Sequence, residues 1–223
     1  MPPRPAIVAF DIIGTVFSLQ PLRDRLMALG LPSLALEFVY TATLRDAFAM
    51  ATTSTYAPFL AGLTSSLDEV LAIHDIAATD AQKREVLEAM KILPARDDAS
   101  AAFDHLRQAG IRIVALSNGA GASTEALLER ANLRGAVERV LSVDDVGLSK
   151  PRPEVYHYAA RELGVPPGDM MLVATHPWDI HGAKTAGLGG SFVERGRPFP
   201  SQLRAPDVRG PELLDVARAV VNL

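Results

Sequence analysis

The run IVAFDII at residues 7–13 is continuously apolar apart from one acid, Asp11, and Gly14-Thr15 follow it directly. An unbroken run of this length, without apolar–polar alternation, reads as a strand buried on both faces, the kind found in parallel sheets covered by helices. The same texture returns downstream at residues 111–117, 140–143 and 170–175, with a short fifth segment at 191–193 after Gly189-Gly190. Helical patterns separate these segments: residues 98–109 end at Gly110, 123–131 follow the second strand, 153–163 open on Pro153 and close at Gly164, and 180–186 stop at Gly187. Strands alternating with helices predict an α/β fold, a doubly wound parallel sheet.

One interval breaks the alternation. Between about Ser18 and Leu93 the chain offers helices and no convincing strand. Residues 21–29 run to Gly30, Ser33 is positioned to cap a long segment through Ala51, and Ser66-Leu67-Asp68-Glu69 has a capping-box pattern before an apolar run. Residues 80–91 complete the set, Pro94 ends it, and a last helix is expected over 211–221 after a proline-rich loop. The expectation is a core domain of residues 1–17 and 94–223, with an all-helical cap domain of residues 18–93 inserted after the first strand.

Composition narrows the classes of function. With 48% hydrophobic and 22% charged residues the chain can bury a core and is not of the disordered type. A formal net charge of −4 supplies no basic field for nucleic acid. The absence of cysteine excludes disulfides, thiolate metal sites and a cysteine nucleophile. No apolar run is long enough to span a bilayer and no signal-peptide core follows the proline-rich start, so a cytoplasmic location without membrane attachment is expected.

Ligands of parallel α/β sheets bind at the carboxyl ends of the strands, and four such places carry polar residues. Asp11 at the first strand's end needs compensation, because an unpaired buried charge is costly; Gly14 permits a sharp turn and Thr15 offers a hydroxyl. Leu116-Ser117-Asn118-Gly119 can form an anion pocket or simply a turn. In Ser149-Lys150-Pro151-Arg152-Pro153, a lysine entering the cleft would hold a carboxylate ionised, although most lysines are solvated surface charges. Thr175-His176-Pro177-Trp178-Asp179 closes the fourth strand, where Asp179 is either a site acid or a helix N-cap, and His176 and Trp178 either line a site or pack a loop.

Taken in this order, the four segments resemble the haloacid dehalogenase-like superfamily of aspartate-nucleophile hydrolases. The resemblance runs over essentially the whole chain, including the helical insertion. It is closest to the L-2-haloacid dehalogenase branch, through FDIIGT at 10–15, LSNG at 116–119, SVDDVGLSKPRPEVY at 142–156 and HPWD at 176–179. It implies a Rossmann-like core, with Asp11 as nucleophile and Thr15 and Lys150 orienting it. It further implies Ser117 on the substrate carboxylate, Asn118 near the leaving halide, Tyr156 as the family tyrosine, and Asp179 as the acid of the hydrolytic step. His176 stands where these dehalogenases have Asn, Ala174 where they have Ser, and Ile13 where an aromatic side chain is common. The family's cap arginine has no direct match; Tyr40 occupies its place in a gap-free comparison, with Arg45 nearby on the same expected helix.

The superfamily's phosphatases carry a second acid two residues after the nucleophile, where this chain has Ile13, and a fourth motif richer in acids than Ala174-Thr175. Both departures favour displacement at carbon. The expected reaction is hydrolytic dehalogenation of short 2-haloalkanoic acids through an aspartyl ester, with no metal and no other cofactor. A magnesium phosphatase acting on a small phosphorylated metabolite and a non-catalytic small-molecule-binding relative remain the alternatives. The partners implied are a small-molecule carboxylate and halide, and the composition admits a homodimer.

Overall fold

The computed structural model describes residues 3–223; Met1 and Pro2, the first two residues of the expected core segment, lie outside the described part. Six strands form one parallel sheet: β1 (Ile7–Phe10), β2 (Arg112–Ser117), β3 (Arg139–Ser142), β4 (Met170–Ala174), β5 (Gly189–Val193) and β6 (Val208–Gly210), in the order β3-β2-β1-β4-β5-β6. Every residue of β1 and of β4 is buried, as their uninterrupted apolar character requires. The chain order reverses between β1 and β4, so the crevice beyond their carboxyl ends is the topological switch point.

Helices cover both faces. On one lie α5 (Ala99–Gln108), α6 (Gly121–Arg130) and α9 (Leu213–Val221), whose Phe103, Leu106, Leu128, Val216 and Val220 share a cluster with Val8 and Phe10. Phe10 and Phe103 meet with ring centroids 4.6 Å apart. On the other lie α7 (Pro153–Leu163) and α8 (Pro177–Thr185), where Val155, Tyr156, Ala159 and Ile180 pack on Ile7, Ala9 and Leu172. Each large aliphatic side chain buried this way contributes about 1.5–3 kcal/mol.

Between β1 and β2 run α1 (Gln20–Ala28), α2 (Ala35–Thr52), α3 (Phe59–Ile73) and α4 (Asp80–Glu88). These helices bury a cluster of their own, built on Leu22, Leu26, Leu36, Val39, Leu63 and Leu67. The two connections to the sheet lie side by side: Ser18 N–H donates to the Pro94 carbonyl at 2.9 Å and Arg96 N–H to that of Val16 at 2.8 Å.

The structure corrects several local expectations. Ser66 is not a cap but a buried residue inside α3, which starts after Pro58; its apolar positions Leu63, Leu67, Val70 and Leu71 continue one helical face across the serine. Ser33 does not cap α2, whose N-cap is Leu34 with no side-chain bond. The capping box belongs to α4, where Thr79 and Gln82 exchange hydrogen bonds. Helix α8 begins at Pro177, three residues earlier than expected, because proline suits a first turn that needs no N–H partner. Strand β6 was not expected; its three residues are too few to show a pattern. Among the described residues no helix is long and apolar enough to cross a membrane.

Candidate active site

Asp11 follows β1 immediately, and its backbone N–H donates to the Val173 carbonyl of β4 at 3.0 Å, which fixes the residue over the switch point. Beyond it the chain turns sharply through Gly14, at φ +86°, where a Cβ would sit 3.1 Å from the His176 ring. This return brings the Thr15 hydroxyl to Asp11 Oδ2 at 2.6 Å, while Thr15 Oγ1 accepts from the Thr175 N–H at 3.0 Å.

Lys150 is wholly buried, and its ammonium makes three hydrogen bonds: 2.9 Å to Asp11 Oδ1, 2.6 Å to Asp179 Oδ2 and 2.9 Å to the Leu116 carbonyl. All three donors are used, as a lysine without water demands. The loop carrying it is tied down by Asn118, whose Oδ1 accepts from the Lys150 backbone N–H at 3.0 Å. Asp179 lies in the first turn of α8, yet its side chain does not cap that helix. Its Oδ1 accepts from the buried Tyr156 hydroxyl at 2.6 Å and its Oδ2 faces Lys150. Gly182, one turn on, permits this approach: a Cβ there would fall 2.6 Å from both the Tyr156 hydroxyl and Pro151 Cβ.

Burial alone would raise the Asp11 carboxyl, but Lys150, His176 and the hydrogen bond from Thr15 outweigh it and hold the group well below the usual carboxylate range. Burial and the nearby charge of Asp11 push Asp179 above that range despite Lys150. Burial would lower Lys150, yet the two carboxylates keep it above its ordinary value. The Tyr156 hydroxyl is pushed well up by burial and by Asp179, so it remains a donor.

His176 Nδ1 lies 3.0 Å from Asp11 Oδ2. Its imidazole is sandwiched between Tyr40 of α2 and Trp178 of α8, with ring centroids 5.7 and 5.3 Å away and planes within 22°. Phe48, also on α2, meets Trp178 edge-on at 5.3 Å. A cleft of about 840 Å³ between insertion and sheet ends on Gly14, Thr175, His176 and Trp178. The structure thus gathers Asp11, Thr15, Lys150, Tyr156, His176 and Asp179 into one bonded cluster, with Asn118 anchoring it. Ser117 Oγ accepts from Gly119 N–H at 2.9 Å, and Ile13 packs against Gly119. Arg45 stands apart: it lines the cleft's rim, exposed, and is held by Asp46 at 2.8 Å and Glu69 at 2.9 Å. Tyr40 and Trp178 were visible in the sequence only as an unmatched position and a lone tryptophan; their pairing across His176 is a tertiary fact.

Magnesium asks for several hard, charged oxygens. Here both oxygens of Asp11 and both of Asp179 are engaged by Lys150, Thr15, His176 and Tyr156, and a lysine ammonium occupies the position between the carboxylates. The donor set does not fit such a cation.

A sequence model described as haloacid dehalogenase-like hydrolase matches residues 5–187. The chain belongs to that family. It is 32% identical over 140 residues to (S)-2-haloacid dehalogenase 1 of Pseudomonas sp. strain CBS-3, a match covering 63% of this chain and 62% of that protein. To (S)-2-haloacid dehalogenase 4A of Burkholderia cepacia it is 30% identical over 151 residues, covering 68% and 65% respectively. These matches span less than two thirds of either relative. The fold of the L-2-haloacid dehalogenase from Xanthobacter autotrophicus superposes with a TM-score of 0.87 at 24% identity, over 96% of this chain and 98% of that one. Membership in this haloacid dehalogenase-like family agrees with the sheet order and with the helical insertion after β1.

Proposed function

We propose that the protein hydrolyses the carbon–halogen bond of short 2-haloalkanoic acids, without a metal ion, through an ester on Asp11. The observation that carries this reading is the Asp11 carboxylate, buried and held ionised by Lys150, beside an Ile13 that has no proton to give. An ionised carboxylate with restricted hydration is a competent nucleophile toward carbon. Asp11 attacks C2 of the substrate from behind, the new C–O bond forms as the carbon–halogen bond breaks, and the electron pair leaves with the halide. A water then adds to the Asp11 carbonyl carbon and gives its proton to Asp179 or to His176. Collapse cleaves the bond between that carbonyl carbon and the ester oxygen, which takes the proton back from that same group and leaves as the 2-hydroxyalkanoate, while Asp11 loses the remaining proton to solvent and is again a carboxylate. Ser117 is assigned to the substrate carboxylate and Asn118 to the departing halide. The names of the two curated relatives support the same reaction class.

The test is halide release from the enantiomers of 2-chloropropionate, with chelator and with added magnesium. Release that survives the chelator and vanishes in Asp11→Asn, with the fold intact by circular dichroism, is the expected result. Magnesium-dependent hydrolysis of an aryl phosphate with no halide released would overturn the proposal.

A further inference from the structure

The cleft is much larger than a short haloacid. 2-Chloropropionate displaces roughly four water volumes, at ~30 Å³ each, against about 840 Å³ available. Five arginines line the cleft, Arg23, Arg45, Arg96, Arg195 and Arg197, together with one carboxylate, Glu37. Three are paired: Arg23 with Glu37 at 2.6 Å, Arg45 with Asp46 and Glu69, and Arg195 with Glu212, while also lying 3.6 Å from Asp98. Arg96 and Arg197 form no salt bridge among the described residues. Arg96 Nε and both Nε and Nη2 of Arg195 are buried without a hydrogen-bond partner. Buried donors left open are uncommon and require an explanation. Burial and the neighbouring charges of Arg195 and Arg197 hold Arg96 below the ordinary guanidinium range, against Glu212 and Asp98. The loop that presents this charge keeps Arg195 in a left-handed conformation, at φ +44°, anchored by its N–H on the Pro211 carbonyl.

Arg96, with its buried Nε left open, and the neighbouring Arg197, offset only at a distance by Glu37, Asp98 and Glu212, lie in a cleft that also reaches His176 beside Asp11, and planar donors of this charge match an oxyanion in shape and sign. We propose that the outer part of this cleft, at Arg96 and Arg197, binds a second carboxylate at the far end of the substrate. The favoured substrates are then 2-haloalkanedioates, longer acids with a remote carboxylate, over simple monocarboxylic haloacids. For its reactive end this inference rests on the haloacid reading above.

Two measurements test it separately. The first compares kcat/KM for 2-chloropropionate with that for 2-chlorosuccinate, 2-chloroglutarate and 2-chloroadipate. The expected result is a preference of at least about tenfold for one of the diacids, carried in KM. In Arg96→Gln/Arg197→Gln the ratio collapses toward one, and in Arg96→Lys/Arg197→Lys it recovers in part. No preference in the unaltered protein, or a ratio indifferent to the substitutions, overturns the subsite. The second titrates the unaltered protein with glutarate by calorimetry, using butyrate as the monocarboxylate reference. Glutarate affinity is expected to fall at least about tenfold in the double variant, and unchanged affinity again overturns the proposal. Should no haloacid be turned over, the reaction assignment fails and the glutarate titration alone decides the subsite. Arg197→Gln by itself changes an exposed residue, so the tests remain readable if the double variant does not fold.

Discussion

Lys150 Nζ lies 2.9 Å from Asp11 and 2.6 Å from Asp179, and all three side chains are out of water, so each charge depends on the others. The signs of linkage follow from the direction of each shift. Asp11, lowered on folding, stabilises the protein above its unfolded value, and that contribution is lost as pH falls through the folded one. Lys150, raised on folding, stabilises below its unfolded value, and that contribution is lost as pH rises through the folded one. Lys150→Met leaves two buried carboxylates facing each other without a cation, which should cost about 3–5 kcal/mol at pH 7. Both acids are then raised, and the variant should recover stability as pH is lowered from 7.5 to 5, read by urea unfolding. A pH profile parallel to that of the unaltered protein would contradict the triad. In the proposed mechanism Asp179 accepts the proton of the hydrolytic water, so Asp179→Asn should release about one halide per site in a burst and then stall. In the unaltered protein steady turnover should decline on the acid side above the ordinary carboxylate range, as Asp179 takes its proton. The burst should persist to lower pH, because Asp11 remains ionised there. Steady turnover by Asp179→Asn would remove Asp179 from its role.

At the scale of elements, α2 reaches the candidate site through Tyr40 and Phe48, which close on His176, the N-cap of α8, and on Trp178 in its first turn. Trp178 is the sole tryptophan, so its emission reports this contact. Tyr40→Ala should shift that emission to the red and loosen His176, lowering turnover several-fold with little loss of stability. Unchanged emission would mean that the stack does not shield the ring. The sequence made the strands legible because β1, β2 and β4 are buried on both faces and carry unbroken apolar runs. Asp11, Thr15 and Asp179 were legible because they follow the carboxyl ends of β1 and β4 closely, whereas Lys150 and Tyr156, well past the end of β3, were legible through the segment 142–156 that resembles the family's motif. Other features were not readable in this way. The starts of α2 and α3 were misread, since serine is only one way to begin a helix and Ser66 has the cap pattern without the position. The three residues of β6 were too short to show, and the arginine wall combines residues 23, 96, 195 and 197 from three separate stretches. Arg45 was close in sequence to the missing arginine position, but Asp46 and Glu69 retain it at the rim.

The whole molecule is a parallel sheet whose ladder bonds all run between strands of the sheet itself, with a helical layer hung from two adjacent crossings at residues 16–18 and 94–96. The helices of that layer hold their own apolar cluster, centred on Leu22, Leu63 and Leu67. Replacing residues 19–93 with a short turn should leave a cooperatively folding sheet, measurable by circular dichroism and urea unfolding, with Asp11 still bonded to Lys150. Halide release should vanish, since nothing would then keep bulk water from Asp11, the proposed nucleophile. Loss of the fold would mean that the sheet depends on the helices above it. Because exit and re-entry are neighbours, the molecule is built like a hilt that accepts different blades: one graft at one seam exchanges the helical wall of the cleft, while Arg96, Arg197 and the cluster around Asp11 are inherited unaltered.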